Sequence, residues 1–197
     1  MYRVQRSGRF KGSTSSNIAL AIEASKLHEV ITGAPLAAWL TVAGSPAGTF
    51  GWTSWVETLD QLATRNDQLI ASAIWGKLED KAANVATEWS VDQIAQVIVV
   101  PGVLGKVAQP GSRVLQSMVR ANQTADPMEM LQWATKMAEV TDRVSGGSVG
   151  LSQCGFGPDW GTYLFSQLYP DAKALDVGVA RSMASAEYLS VFMEGRK

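Results

Sequence analysis

Cysteine and histidine are nearly absent from this sequence, each occurring once in 197 residues. Because Cys154 has no second cysteine to pair with, it cannot form an internal disulfide, and a lone thiol is typical of a reducing compartment. We therefore predict a cytoplasmic location, with Cys154 a buried, inert thiol because no Lys, Arg or His is near it in sequence. One histidine and one cysteine do not suffice for a His/Cys zinc site, so we predict no metal.

The sequence also lacks a surplus of charge, since Lys and Arg total 17 and Asp and Glu total 18. Without a block of like charges, nucleic acid and membrane surfaces are poor partners, and we predict neither. The most apolar stretch, residues 94–108, is interrupted by Pro and Gly and is shorter than the ~20 residues that span a bilayer. No long apolar run follows the first eight residues, which argues against a secretory signal.

Hydrophobic residues make up 46% of the chain, enough for substantial cores. In the first hundred residues the pattern of hydrophobic residues predicts elements in the order strand, helix, strand, strand, helix, strand. The helical region after the third strand is predicted to break near residues 65–67, and a β-branched run is predicted to close the unit as its fourth strand. The predicted elements are strands at 2–11, 36–43, 50–56 and 94–100, and helices at 17–31 and 58–85.

The same order repeats after a Pro- and Gly-rich segment, residues 101–112, which we interpret as a linker. A strand at 113–121 precedes a helix that opens at Asp126, where Pro127 and Glu129 have first-turn and capping-box positions. Strands at 149–153 and 161–165, joined by a hairpin turn, come before a last helix and strand. The predicted domains are therefore residues 1–100 and 113–197, two tandem ferredoxin-like βαββαβ units in an α+β fold.

By this order of elements, and by a local match of 52–56 with 161–165, the chain resembles the dimeric α+β barrel superfamily. That group includes NIPSNAP-like proteins, antibiotic-biosynthesis monooxygenase-like proteins, haem-degrading monooxygenases, muconolactone isomerase and EthD-like proteins. The resemblance implies two antiparallel sheets packed face to face as a barrel, with pockets between sheet and helices. It does not imply one reaction, because this fold serves enzymes and non-catalytic proteins alike.

His28 is the candidate catalytic residue, since imidazole can act as a general base or as an axial haem ligand. On the helical wheel it lies about 70° from the predicted apolar stripe of Leu20, Ala24, Leu27 and Ile31. The alternative is a partly exposed histidine in the last helical turn, where its charge suits the helix C-terminus. We expect this exposed arrangement, with a pKa near ~6.5 and a His28→Ala stability change well under ~1 kcal/mol.

Aromatic residues are the candidate ligand-binding set, because the chain has seven tryptophans. Aromatic side chains on strands can line a pocket for a planar ligand, or they can simply fill the core. Haem-degrading relatives combine Asn, Trp and His, and Asn17 together with His28 and one strand tryptophan would supply these types, although in a different order. The candidates are Trp39, Trp52, Trp55, Trp160 and Tyr163.

Three functions remain open at this stage. The leading hypothesis is a protein that binds an apolar or aromatic small molecule and acts, without a cofactor, as a monooxygenase or isomerase on an aromatic or polyketide-like substrate. The first alternative is a non-catalytic structural or interaction protein whose Trp-rich sheets form inter-sheet and subunit interfaces, with a homo-oligomer as the partner. The second is a haem-binding protein that uses His28. A pocket of ~300 Å3 or more with His28 at its wall would favour the first.

Overall fold

The computed structural model describes residues 1–44, 46–89, 92–99, 109–120, 122, 124–156 and 159–195. The chain divides into two compact units, Met1–Ile94 and Ala95–Lys197. Residues 101–108 of the predicted linker lie outside the described residues, and residues 109–112 form a turn in which the Ser112 amide donates to the Gln109 carbonyl at 3.0 Å. Among the described helices, none combines the length and apolar character needed to cross a membrane.

The first unit is a four-stranded antiparallel sheet with three helices. Its strands lie in the order β2, β3, β1, β4, as the βαββαβ pattern predicts for a ferredoxin-like unit. The predicted helical break near residues 65–67 is wrong by a few residues, because Ser72 caps a new helix by accepting from the Trp75 amide. The elements are β1 (Tyr2–Phe10), α1 (Thr14–Thr32), β2 (Ala37–Leu40), β3 (Thr49–Val56), α2 (Leu59–Ile70), α3 (Ala73–Val85) and β4 (Ala86–Trp89).

The strand that closes the first unit differs from the prediction. β4 pairs with β1, whereas the predicted closing strand, residues 94–100, corresponds to β5 (Gln93–Val99), whose residues Ala95–Val99 pair with β7 of the second unit. The sequence favoured β5 because it is rich in β-branched residues, and β4 is only four residues long and follows α3 directly. A Cβ on Gly8 would lie 2.9 Å from Trp89 Cε3, so the β1–β4 pairing requires glycine there.

Helix α1 contains the predicted range 17–31 and begins three residues earlier, but it presents a different face to the sheet. Ser13 caps its N-terminus, and Gly33 ends it at φ 68°. Of the predicted apolar stripe only Ala24 is buried, whereas Leu20, Leu27 and Ile31 are half-buried. Ala21, which was not predicted, is also buried and packs against the rings of Phe10 and Phe50. Two polar residues complete the buried face of this helix, Asn17 and His28.

The second unit has four strands in the order β5, β7, β8, β6, with three helices. Strands β6, β8 and β7 repeat the order of β1, β3 and β2 in the first unit. The predicted last strand is wrong, because α5 is followed within the described part of the chain by another helix. The elements are β6 (Arg113–Arg120), α4 (Pro127–Ser145), β7 (Ser148–Cys154), β8 (Thr162–Tyr169), α5 (Ala172–Ala184) and α6 (Ala186–Glu194).

Local signals in the second unit are confirmed. Asp126 accepts hydrogen bonds from the backbone amides of Met128 and Glu129, as the capping position requires, and Gly146 ends α4 at φ 71°. The β7–β8 hairpin is closed by a bond from the Gly161 amide to the carbonyl of Cys154, whose side chain is buried. The core of this unit is closely packed around residues of α4, β7, β8 and α6: Ala134, Met137, Ala138, Val140, Val149, Leu151, Tyr163, Phe165 and Val191.

Candidate functional site

A cavity of about 820 Å3 lies inside the first unit, between its helices and one face of its sheet. This is the size of a small-molecule site, for which ~300–1,000 Å3 is usual. Alternate residues of β1 and β3 form its floor, since side chains alternate between the faces of a strand. Its apolar wall comprises Val4, Phe10, Leu20, Ala24, Leu36, Trp52, Leu62, Leu69, Trp75, Leu78, Ala82 and Trp89.

His28 lines this cavity and is buried, with 6% of its surface exposed, so the predicted exposed arrangement is wrong. The physical reason is that α1 packs on the sheet through its alanines and not through the predicted leucines. Relative to the prediction the helix is therefore rotated about its axis, which turns His28 inward. The imidazole lies edge-on to the ring of Trp75, with centroids 6.4 Å apart. The only histidine of the chain is therefore part of the cavity wall.

The hydrogen bonds of His28 fix its tautomer. Nδ1 lies 2.9 Å from the Ala34 carbonyl oxygen, which can only accept, so Nδ1 carries the proton. The Thr32 hydroxyl donates to the His28 carbonyl at 2.8 Å and lies 3.3 Å from Nδ1. In the neutral ring this leaves Nε2 as an unprotonated acceptor, and no described residue hydrogen-bonds to it.

Burial lowers the pKa of His28 below its ordinary value of 6.5, because desolvation penalises the imidazolium. The positive charge of Arg65 lowers this pKa further, while the hydrogen bond to Ala34 and the carboxylate of Glu29 oppose the shift. Desolvation is the largest of these effects. The imidazole is consequently neutral at pH 7, the state in which it can accept a proton.

Four other ionisable side chains border the cavity. Arg6 and Asp92 form a two-pronged ion pair, with Nε to Oδ1 at 2.6 Å and Nη2 to Oδ2 at 2.7 Å. Glu79 accepts from the indole N–H of Trp75 at 3.0 Å. Arg65 is held by a bond from Nη1 to the Trp55 carbonyl at 2.8 Å, and burial lowers its pKa. Arg65 has no carboxylate partner among the described residues.

The structure brings only one of the predicted aromatic residues to this cavity. Trp52 lines it, and the Trp52 ring packs against Phe10 and Trp89 at centroid distances of 5.8 and 6.3 Å. Its buried indole N–H has no acceptor among the described residues. Trp52 therefore combines a flat apolar surface with an unused hydrogen-bond donor.

The other predicted aromatic residues lie elsewhere. Trp39 of β2 pairs with Gly51 and Trp55 of β3 pairs with Arg3, which places both tryptophans on the sheet face opposite that of Trp52. Trp160 is 75% exposed in the turn before β8. Tyr163 belongs to the packed core of the second unit, with 2% of its surface exposed. Neither Trp160 nor Tyr163 contributes to the cavity of the first unit.

Sequence reasoning missed Arg65, Trp75 and Trp89. A signal existed for Arg65: Leu62, Arg65 and Leu69 have the spacing of one helical face, so a charged residue was set between two apolar ones. Trp75 has a similar relation to Leu78, three residues later on α3. Trp89 gave no such signal, because its strand was not predicted.

The cavity supplies only some of the groups that haem binding requires, namely an axial ligand and partners for the propionates. His28 Nε2 could serve as an axial ligand, and Arg65 could pair with one propionate. The second wall arginine, Arg6, is already held by Asp92. The residues present therefore do not fit haem well.

The whole chain is similar in fold to solved structures of low sequence identity. One, from Fusobacterium nucleatum and titled "Putative monooxygenase", has a TM-score of 0.73 at 7% identity, over 99% of this chain and 85% of the other. Another of that title, from Lactobacillus acidophilus, has a TM-score of 0.64 at 14% identity, over 98% and 85% of the chains. A structure titled "Putative Chlorite dismutase" has a TM-score of 0.51 at 12% identity, over 94% and 86%.

These similarities confirm the predicted fold class, an α+β fold of the ferredoxin-like type. At such identities they establish the fold alone, because one fold hosts many activities. No family model matches the sequence, and no curated protein does so.

Proposed function

We propose that the first unit binds an aromatic or polyketide-like small molecule in its cavity and that His28 acts on it as a general base. The observation that carries this proposal is the buried imidazole at the cavity wall, with Nδ1 held by the Ala34 carbonyl, which leaves Nε2 as the acceptor of the neutral ring. A base needs an available lone pair, a fixed orientation and a substrate site beside it. All three occur together at His28.

The cavity wall supports an aromatic ligand. Three tryptophans and Phe10 offer flat apolar surfaces, and leucines make up much of the remaining apolar wall. The indole N–H of Trp52 is a donor that a ligand carbonyl would satisfy after a small movement of the ring. A cavity of this size also weighs against the alternative in which the aromatic strands serve only as packed interfaces.

The chemical step is removal of a proton from carbon or oxygen next to an aromatic ring or carbonyl group. His28 Nε2 takes the proton, and the positive charge then formed on the ring stays hydrogen-bonded to the Ala34 carbonyl. The substrate keeps the electron pair as a delocalised anion. An isomerase would return the proton at another carbon of the same substrate.

A monooxygenase would instead let the anion reduce dioxygen without a metal. For an anthrone, dioxygen supplies one oxygen atom to the central carbon and the other leaves as water with the two hydrogens of that carbon. The anthrone loses four electrons to dioxygen, and the product is the anthraquinone. The names of two structures of the same fold motivate this finer proposal.

The test is oxygen consumption with anthrone as substrate, corrected for its spontaneous oxidation in buffer. We expect His28→Gln to lower the enzymatic rate by about 100-fold or more, the usual contribution of a general base. Tyr163→Phe is the matched control, because Tyr163 lies in the core of the second unit, and it should keep the rate. Turnover by His28→Gln equal to that of the unaltered protein would refute the role of His28.

Anthrone binding is measured separately, by quenching of tryptophan fluorescence. We expect His28→Gln to bind anthrone within a few-fold of the unaltered protein, because most of the wall is unchanged. Absence of binding in the unaltered protein would favour the non-catalytic alternative. Activity that appears only after haemin is added, with a Soret band that His28→Gln abolishes, would favour the haem alternative.

A further inference from the structure

We infer that the cavity selects an organic anion, a planar apolar ring system with one negatively charged oxygen, and that Arg65 is its counter-ion. This inference rests on the proposed small-molecule site and adds the charge of its ligand. It concerns recognition rather than the proton-transfer step. Arg65 is a specificity-determining residue of that site.

The charged residues of the cavity wall are two cations, Arg6 and Arg65, and two anions, Glu79 and Asp92. Both carboxylates act on Arg6: Asp92 through the two-pronged ion pair, and Glu79 through its nearby charge. Neither forms an ion pair with Arg65 within the described ranges. The apolar cavity is thus left with one uncompensated guanidinium.

A partly buried charge without a partner is costly, because the wall removes water from it and supplies no anion in return. Arg65 shows this desolvation, since burial lowers its pKa and no opposing charge restores it. One of its five N–H donors is used, by the Trp55 carbonyl, which also fixes the direction of the side chain. The remaining donors suit a carboxylate, enolate or phenolate oxygen.

Arg65 and His28 line the same cavity. A ligand oxygen that binds Arg65 therefore shares this cavity with the base, and its ring system can lie against the leucines and tryptophans of the wall. A neutral ligand of the same shape would leave the guanidinium unpaired and would bind less tightly.

The experiment compares 2-naphthoate with its neutral isostere 2-naphthamide by titration calorimetry at pH 7.5. We expect the unaltered protein to bind 2-naphthoate about tenfold more tightly, the effect of one charge-assisted contact worth about 1.4 kcal/mol. Arg65→Met should remove this preference by weakening only 2-naphthoate. Arg65→Lys, which keeps the charge but not the planar fork, should keep part of it.

Arg9→Gln is the matched control, because Arg9 is an exposed cation of β1 outside the cavity wall, and it should keep the full preference. If Arg65→Met does not fold, Arg65→Lys and the unaltered protein still decide the matter. Equal affinity for the two probes in the unaltered protein, or binding of neither, would overturn the inference, as would a preference that survives Arg65→Met. Oxygen consumption with anthrone tests the proposed function independently of this result.

Discussion

Replacing His28 with alanine tests how firmly the imidazole belongs to the fold of the first unit. The substitution removes the hydrogen bond from Nδ1 to the Ala34 carbonyl and the edge contact with Trp75. Ala34 is buried, with 5% of its surface exposed, so its carbonyl loses its side-chain partner. An exposed histidine would have neither interaction to lose.

The expected destabilisation follows from these two losses. The hydrogen bond contributes about 1 kcal/mol, and the contact between the rings about as much again. The higher helix propensity of alanine in α1 offsets roughly 0.5 kcal/mol of this loss in the free energy of unfolding. The added void opens into an existing cavity, so the penalty for a closed hole is small. We therefore expect the free energy of unfolding to fall by about 1.5 kcal/mol.

The assay is equilibrium unfolding in urea at pH 7.5, followed by circular dichroism. Glu29→Ala is the matched control, because Glu29 is the next residue of α1 and is exposed, and its effect should stay within about 0.5 kcal/mol. A His28→Ala effect no larger than that of Glu29→Ala would mean that the ring is not held as described. The assignment of His28 as an oriented base would then fail.

Three further outcomes are expected. Because the pKa of His28 is lowered in the folded state, the unfolded chain binds the proton more readily. The free energy of unfolding should therefore fall as the pH drops below about 6.5. Urea unfolding of His28→Gln should lack this part of the pH dependence. Trp52→Phe should reduce the quenching of tryptophan fluorescence by bound anthrone, whereas Trp160→Phe should not. Gly178→Ala should reduce the free energy of unfolding by about 1–3 kcal/mol and so lower the melting temperature, because the new Cβ would lie 2.5 Å from the Tyr169 ring.

Much of the fold could be predicted because its signals are local. Asp126 followed by Pro127 marks a helix start through backbone geometry and hydrogen bonding over a few residues. Gly33 and Gly146 mark helix ends because they adopt positive φ, which other residues resist. Such features depend little on the rest of the chain.

The errors concern choices that only tertiary packing makes. Pattern alone favoured the leucines of α1 as the buried face, but the rings of Phe10 and Phe50 require small neighbours, and Ala21 supplies one. This rotation decides whether His28 is exposed or buried. The prediction of the closing strand was wrong for a similar reason, since β4 is defined by its pairing with β1 rather than by its own composition.

The candidate site was accordingly predicted in part. His28 and Trp52 were identified because residues of their types are rare or chemically distinctive, and both line the cavity. Arg65 was missed because an arginine on a helix is usually a solvated charge, and only the cavity shows that it faces inward. Trp160 and Tyr163 were grouped with the site by residue type alone, although they belong to the second unit.

The most direct test of the account is a nuclear magnetic resonance titration of the imidazole, in protein prepared without a histidine tag. The chain has one histidine, so its ring nitrogens give a single, already assigned pair of signals. We predict a neutral ring at pH 7 with the proton on Nδ1, a pKa below 6.5, and a shift of the Nε2 signal when anthrone is added. A proton on Nε2, or a pKa of 6.5 or above with no response to anthrone, would contradict the account.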